Sequence, residues 1–199
     1  MKKTALLIVL AFVLNFSGTK AQNVGLSTGA NITNMYLDGE SVGDPMMGYY
    51  GGLVIEHVLV AKKLYLQTNL EGVSRGFKMT GTDDKVILHN GQAILGPKYR
   101  QVLWRENNLF LGVYGYMGYA FLGKIGDADM TLGNGEKSPA DMNGIDYGVM
   151  ADAGLTFGLF NVGYRYVMGM ADVSAPKVDG FKWTHGANLF FVSVYFSND

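Results

Sequence analysis

From residue 23 onward the chain alternates apolar and polar residues with a period of two, in segment after segment separated by turn-forming residues. A helix repeats every 3.6 residues, so a chain written this way cannot bury a helical stripe. It forms strands with one apolar and one polar face. Segment 64–75 shows this most plainly, with Leu64, Leu66, Thr68 and Leu70 on one face and Tyr65, Gln67, Asn69, Glu71 and Arg75 on the other. Segment 24–34 sets Val24, Leu26, Ala30 and Ile32 against Gly25, Ser27, Gly29, Asn31 and Thr33. Segment 145–157 sets Ile145, Tyr147, Val149, Ala151, Ala153, Leu155 and Phe157 against Asp146, Gly148, Asp152, Gly154 and Thr156.

Five further segments, 47–59, 91–103, 109–122, 161–172 and 186–196, bring the predicted strands to eight. In 109–122 both faces are apolar or aromatic, and the pattern leaves its orientation open. The links alternate in length. They are short at 60–63, 104–108 and 158–160, and longer and more polar at roughly 36–46, 78–90, 123–144 and 173–185. Short turns at one rim and long loops at the other characterise transmembrane barrels. The expected fold is therefore all-β, an eight-stranded antiparallel up-and-down transmembrane β-barrel with both termini on the short-turn side.

Composition narrows the chemistry. The 199 residues include 28 glycines but only 4 prolines, and aromatics reach 13%, a mixture suited to closely packed, twisted strands. Lys and Arg total 16 against 17 Asp and Glu, with no basic surplus to point to nucleic acid. Cysteine is absent, which excludes disulfides, thiolate metal sites and thiol catalysis. Residues 1–21 read as a cleaved secretory signal: Lys2 and Lys3, an apolar run over 5–14, and the small residue Ala21. That run is too short to span a bilayer as a helix, for which about 20 residues are needed. The expected division is a signal peptide, 1–21, and a barrel domain, 22–199. Cleavage removes Lys2, Lys3 and Lys20 and no acid, leaving 13 basic against 17 acidic groups, or −4.

A soluble barrel hides its apolar face inside, whereas a membrane barrel turns it outward. Three features favour the second. The segments run longer than the 9–11 residues that about cross the hydrocarbon layer. Aromatics gather near the predicted ends, Tyr65, Trp104, Phe110, Phe157, Phe160 and Phe196 by the short turns and Tyr36, Tyr49, Phe77, Phe121, Tyr147 and Trp183 by the long loops, resembling two interfacial girdles. The polar face carries Glu56, Glu71, Asp146 and Asp152 against Arg75, Lys98, Arg100 and Arg165. An isolated buried charge costs several kcal/mol, so these eight are expected to pair in a lumen network.

The alternating end of the last segment, residues 190–196, closes on an aromatic, as outer-membrane barrels commonly do for their assembly machinery. With it, the chain resembles the PorT-like outer-membrane β-barrel family of the Bacteroidota, small barrels akin to the OmpA and OmpX transmembrane domains. The resemblance runs through 24–31, Gly51-Gly52-Leu53, 64–70, Gly96-Pro97-Lys98-Tyr99, Asp146-Tyr147-Gly148 and Tyr164-Arg165-Tyr166. It implies an outer-membrane location, contact with outer-membrane lipid and lipopolysaccharide, and insertion by the barrel-assembly machinery. It carries no catalytic motif.

The three histidines, His57, His89 and His185, lie in different segments, with no serine placed to make a triad. Asp127 opens a stretch that superficially suggests calcium, but Thr131, Leu132 and Ser138 stand where a calcium loop needs an oxygen ligand, a glycine and a glutamate. The expectation is a non-enzymatic barrel, without cofactor or metal, in a structural or adhesive role. Its recognition residues are expected on loops 123–144 and 173–185, at Met130, Leu132, Phe181 and Trp183, the loop partner being unspecified. Three rivals stand beside it. One is a narrow pore, disfavoured because eight strands leave room only for side chains. The second is a barrel enzyme acting on lipid through a rim cluster of His57, Glu56 and Glu71, and the third is a soluble periplasmic barrel around a ligand.

Overall fold

A computed structural model describes residues 22–41, 43–60, 63–79, 84–105, 107–129, 132, 144–173 and 183–196. Eight long strands build it: β1 (Gln22–Leu37), β2 (Gly43–Val60), β3 (Leu64–Met79), β4 (Lys85–Trp104), β5 (Asn107–Ile125), β6 (Ile145–Phe157), β7 (Phe160–Gly169) and β8 (Trp183–Tyr195). Each pairs antiparallel with the next. β8 then closes on β1, from Gly25 opposite Tyr195 to Leu37 opposite Trp183. Two-residue strands at Glu40–Ser41 and Ala128–Asp129 fold back on the ends of β1 and β5.

The register fixes the shape. A row followed across the ladder from Gln101 through Leu109, Leu155, Val162, Val192, Thr28, Gly51 and Gly72 returns to β4 at Gly91, ten residues from its start. Eight strands with that stagger tilt by about 40° to the barrel axis, and each residue then climbs about 2.5 Å along it. A lipid-facing band about 25 Å tall takes about ten residues of each strand.

Sidedness follows the alternation. Leu26, Leu53, Leu95, Leu111, Val113, Val149, Leu155, Val162 and Val192 are exposed on the outer wall, while Ser27, Asn31, Gln67, Asn69, Glu71, Asp146, Asp152 and Arg165 are buried inside. The open orientation of 109–122 is settled: Leu109, Leu111 and Val113 face out, and Phe110, Tyr114 and Tyr116 fill the lumen. This is a transmembrane barrel rather than a soluble one, because an apolar wall of this extent in water would be unfavourable. Trp104, Phe157, Phe160 and Phe196 ring the short-turn end, and Tyr49, Tyr119 and Tyr147 the other, all exposed. Tyr65, Phe110 and Phe77, grouped with the girdles in the sequence, instead point inward and are buried.

Two of the expected long loops shrink. β1 and β2 continue to Leu37 and from Gly43, and β3 and β4 continue to Met79 and from Lys85, so most of 36–46 and 78–90 is strand. Asp38 and Gly39 turn the first of these hairpins with φ of 49° and 91°, the left-handed pair that suits the strand twist. β4 with 20 residues and β5 with 19 are about twice as long as the band requires, whereas β7 has 10. One side of the barrel therefore projects beyond the apolar band as a sheet wall.

Candidate functional site

The lumen is filled by three linked ion clusters. Nearest the short turns, Glu56 receives Lys98 Nζ at 2.8 Å, Arg100 Nη2 at 2.5 Å and the Tyr195 hydroxyl at 2.6 Å. Lys98 lies 4.1 Å from the Phe110 ring centre and the Arg100 guanidinium 4.4 Å from that of Tyr65, so aromatic faces as well as a carboxylate hold the two cations. At mid-height Arg165 reaches Glu71 at 3.0 Å and Asp152 at 3.2 Å. Asn69 and Gln92 donate to Glu71 at 2.8 and 2.9 Å, and Tyr114 donates to Asp152 at 3.0 Å. Toward the long-loop end Arg75 binds Asp146 at 2.6 Å, His185 Nε2 at 2.6 Å and the Gln92 side-chain oxygen, and Tyr116 donates to Asp146 at 3.2 Å.

The eight charges cancel, four against four, but not layer by layer. Glu56 faces two cations and Arg165 faces two carboxylates, so the lower cluster is one charge positive and the central cluster one charge negative. Opposite excesses on adjacent layers attract along the lumen, and desolvated charges are held by such pairing together with hydrogen bonds to their remaining lone pairs. Gln92 links the upper two clusters directly, accepting from Arg75 and donating to Glu71. Each of Glu56, Glu71, Arg75, Lys98, Arg100, Asp146, Asp152 and Arg165 is thus buried and ion-paired in one interior system. The sequence reading missed the neutral members: Gln92, Asn69, Tyr114, Tyr116, Tyr195 and His185. Their only signal is an inward position on their strands.

Above Arg75 the chemistry changes. Met35, Phe77, Val86, Ala171 and Val173 form an apolar cluster inside the projecting wall, with Leu88, Ile125 and Leu132 packed against it. A cavity of about 30 Å³, room for about one water, separates it from Arg75, Asp146 and His185. Leu132, expected as an exposed recognition residue, is corrected here: it is half-buried against this cluster, which it covers. Trp183 starts β8 opposite Leu37, while Met130 and Phe181 lie outside the described residues.

The rim cluster required by the lipid-enzyme reading does not assemble. Glu56 and His57 are neighbours on β2, but Glu71 belongs to the central cluster, and each carboxylate is already engaged by cations. A carboxylate held this way is a structural counter-ion.

No protein-family model matches the chain, and no curated protein sequence does. Solved structures do. Neisserial surface protein A aligns with a TM-score of 0.51 at 16% identity over 89% of this chain and 100% of that one. The attachment invasion locus protein Ail of Yersinia pestis, solved in complex with the heparin analogue sucrose octasulfate, aligns with a TM-score of 0.49 at 12% identity over the same shares. The outer membrane protein AlkL, in lipid bilayers, aligns with a TM-score of 0.41 at 13% identity over 92% of this chain and 94% of that one. What the likeness to the Neisserial protein establishes is the fold alone.

Proposed function

We propose that this chain is an integral protein of the bacterial outer membrane, exported by a signal peptide over residues 1–21. It belongs with the PorT-like group of small barrels and acts as a structural or surface-interaction protein rather than an enzyme. The observation that carries the reading is the inversion of the barrel: exposed Leu, Val and Phe side chains on the outside, and four cations paired with four carboxylates inside. Such an exterior is stable only in hydrocarbon, and among the described residues the eight lumen charges are engaged by one another, which supports a structural role over a catalytic or conducting one.

The outward role falls to the projecting wall of β1–β5 and the loops beside it. Asp38, Glu40, Asp44, Lys85, Lys124, Asp127 and Asp129 are exposed there, a polar surface carried clear of the membrane by strands longer than the band requires. Recognition is assigned to this wall and to loops 123–144 and 173–185, with Met130, Phe181 and Trp183 as their apolar contacts. Insertion uses the barrel-assembly machinery, which reads the alternating end of β8.

Cell fractionation with electrophoresis of boiled and unboiled samples tests location and fold together, and an epitope inserted at 136 tests sidedness. The expected result is an outer-membrane protein that migrates differently when unboiled, with the epitope reached by antibody on intact cells. Recovery in the soluble periplasmic fraction, or an epitope reached only after lysis, overturns the proposal.

A further inference from the structure

Most wall glycines are demanded by the fold. A side chain at Gly52 would run into the Leu70 carbonyl, and one at Gly96 into that of Val113. Gly51, Gly72 and Gly91 differ. They stand side by side on β2, β3 and β4, in direct register and facing outward, and a Cβ on any of them would meet nothing nearer than 3.8 Å. Among the described residues, no contact explains their smallness. Gly51 and Gly72, continued to Thr28 on β1, floor an external groove of about 430 Å³ that crosses three strands, about 10 Å, with Gly91 next in the row.

The groove is walled as well as floored. Tyr49, Phe121 and His89 line it, and an irregularity in the ladder lies beside each of the two rings. One extra residue sits in β2 between Pro45 and Tyr50, and Phe121 is the extra residue of β5 opposite the His89–Asn90 step. Tyr49 and Phe121 face outward by the ordinary alternation, in line with Gly51 and Tyr119, and both rings stand beside the glycines. The Thr28 hydroxyl is turned away, donating to the Tyr50 carbonyl at 3.0 Å. From the stagger, Thr28 lies near mid-band and Gly91 about 10 Å higher, with His89 at the outer interface. Above it, on the same strands, Lys85 and Lys124 project outward, with Asp129 beside Lys124 at 3.9 Å.

We propose that this groove is a binding site for one acyl chain of the outer-leaflet glycolipid, lipopolysaccharide, with the headgroup at the His89 end. The proposal rests on the membrane reading above. The groove lies within the apolar band, so its occupant is hydrocarbon, and it lies in the outer half, where that leaflet's lipid is the glycolipid. Within a membrane the hydrophobic effect supplies no preference for the groove. Retention comes from dispersion contact along a chain held on three sides, which a flat wall cannot provide.

Native mass spectrometry of the full-length mature protein, extracted from outer membranes in mild detergent, tests this. The wild type is expected to retain one lipopolysaccharide, and Gly72→Leu, which fills the floor, to retain about tenfold less, equivalent to 1.4 kcal/mol. Gly115→Leu, on an equally open outward position away from the groove, is expected to retain it like the wild type. Both variants should stay folded by the boiled-versus-unboiled assay, and Gly51→Leu replaces Gly72→Leu if that one does not. Equal retention in all three, a retained phospholipid instead, an adventitious additive only, or a dimer broken by Gly72→Leu overturns the groove assignment. A wild type that shows no folded form in detergent overturns the membrane reading and the groove with it, whereas a folded wild type without bound lipid overturns the groove alone.

Discussion

Tyr195 donates its hydroxyl to Glu56 at 2.6 Å across the lumen, joining β8 to β2, two strands that are not neighbours in the sheet. The same oxygen accepts from Asn161 at 3.2 Å, so the last strand is tied into the lower ion cluster by a single side chain. Tyr195→Phe keeps the ring beside Arg100 and removes this bond together with the one accepted from Asn161. Losing a hydrogen bond to a charged partner is expected to lower the unfolding free energy by about 1.5–3 kcal/mol, read from urea unfolding in detergent micelles. An unchanged midpoint would show that the lower cluster closes without the last strand.

Arg165 is the one cation between Glu71 and Asp152 and is 1% exposed. Arg165→Met leaves two buried carboxylates facing each other and is expected to cost about 3–5 kcal/mol. Adding Glu71→Gln and Asp152→Asn removes both uncompensated charges and should recover most of the loss. Non-additivity of this kind, measured in the same urea assay, separates a charge effect from a packing effect. If the triple variant is no more stable than Arg165→Met alone, the carboxylates are not what makes that substitution costly.

How much of this was legible in the sequence depends on whether a strand's two faces differ. In 64–75 the contrast between Leu66 and Gln67 fixes inside and outside at a glance, and the eight paired charges follow from it. In 109–122 Leu111 and Tyr114 give no such contrast, and only the ladder to β4 and β6 orients the strand. The projecting wall was hidden for a related reason. Phe77 reads as a girdle aromatic and Val86 falls in the expected loop 78–90, and their burial depends on Ala171, Val173 and Leu132 arriving from elsewhere in the chain. The groove was invisible, since a glycine that serves the fold and one that leaves space open read alike. Register alone brings Gly51, Gly72 and Gly91 together.

The height of each residue on the wall sets what a charge there should cost. Val113 is 61% exposed near mid-band, and Met79 is 39% exposed at the end of β3, about 25 Å higher and beyond the lipid. Val113→Arg is expected to destabilise the barrel in lipid vesicles by about 2–4 kcal/mol, and Met79→Arg by no more than about 1 kcal/mol. Equal costs at the two positions would mean that the projecting wall is immersed, and that the membrane lies elsewhere on the barrel than its exposed side chains place it.

Tyr50 and Tyr114 are each 1% exposed and cross the lumen beside Arg165, Ser27 and Asp152. An interior of eight strands is only just wide enough for side chains, and here rings and ion pairs occupy it. The mature protein inserted in a planar bilayer is therefore expected to give no steady conductance steps. Shrinking both rings, Tyr50→Ala with Tyr114→Ala, empties the central level while the ion pairs of Arg165 remain, and is expected to admit water and produce small ohmic steps. Steps of the same size in the wild type would establish a continuous path past Arg165, and the barrel would then have to be read as a pore whose lumen charges select the ion.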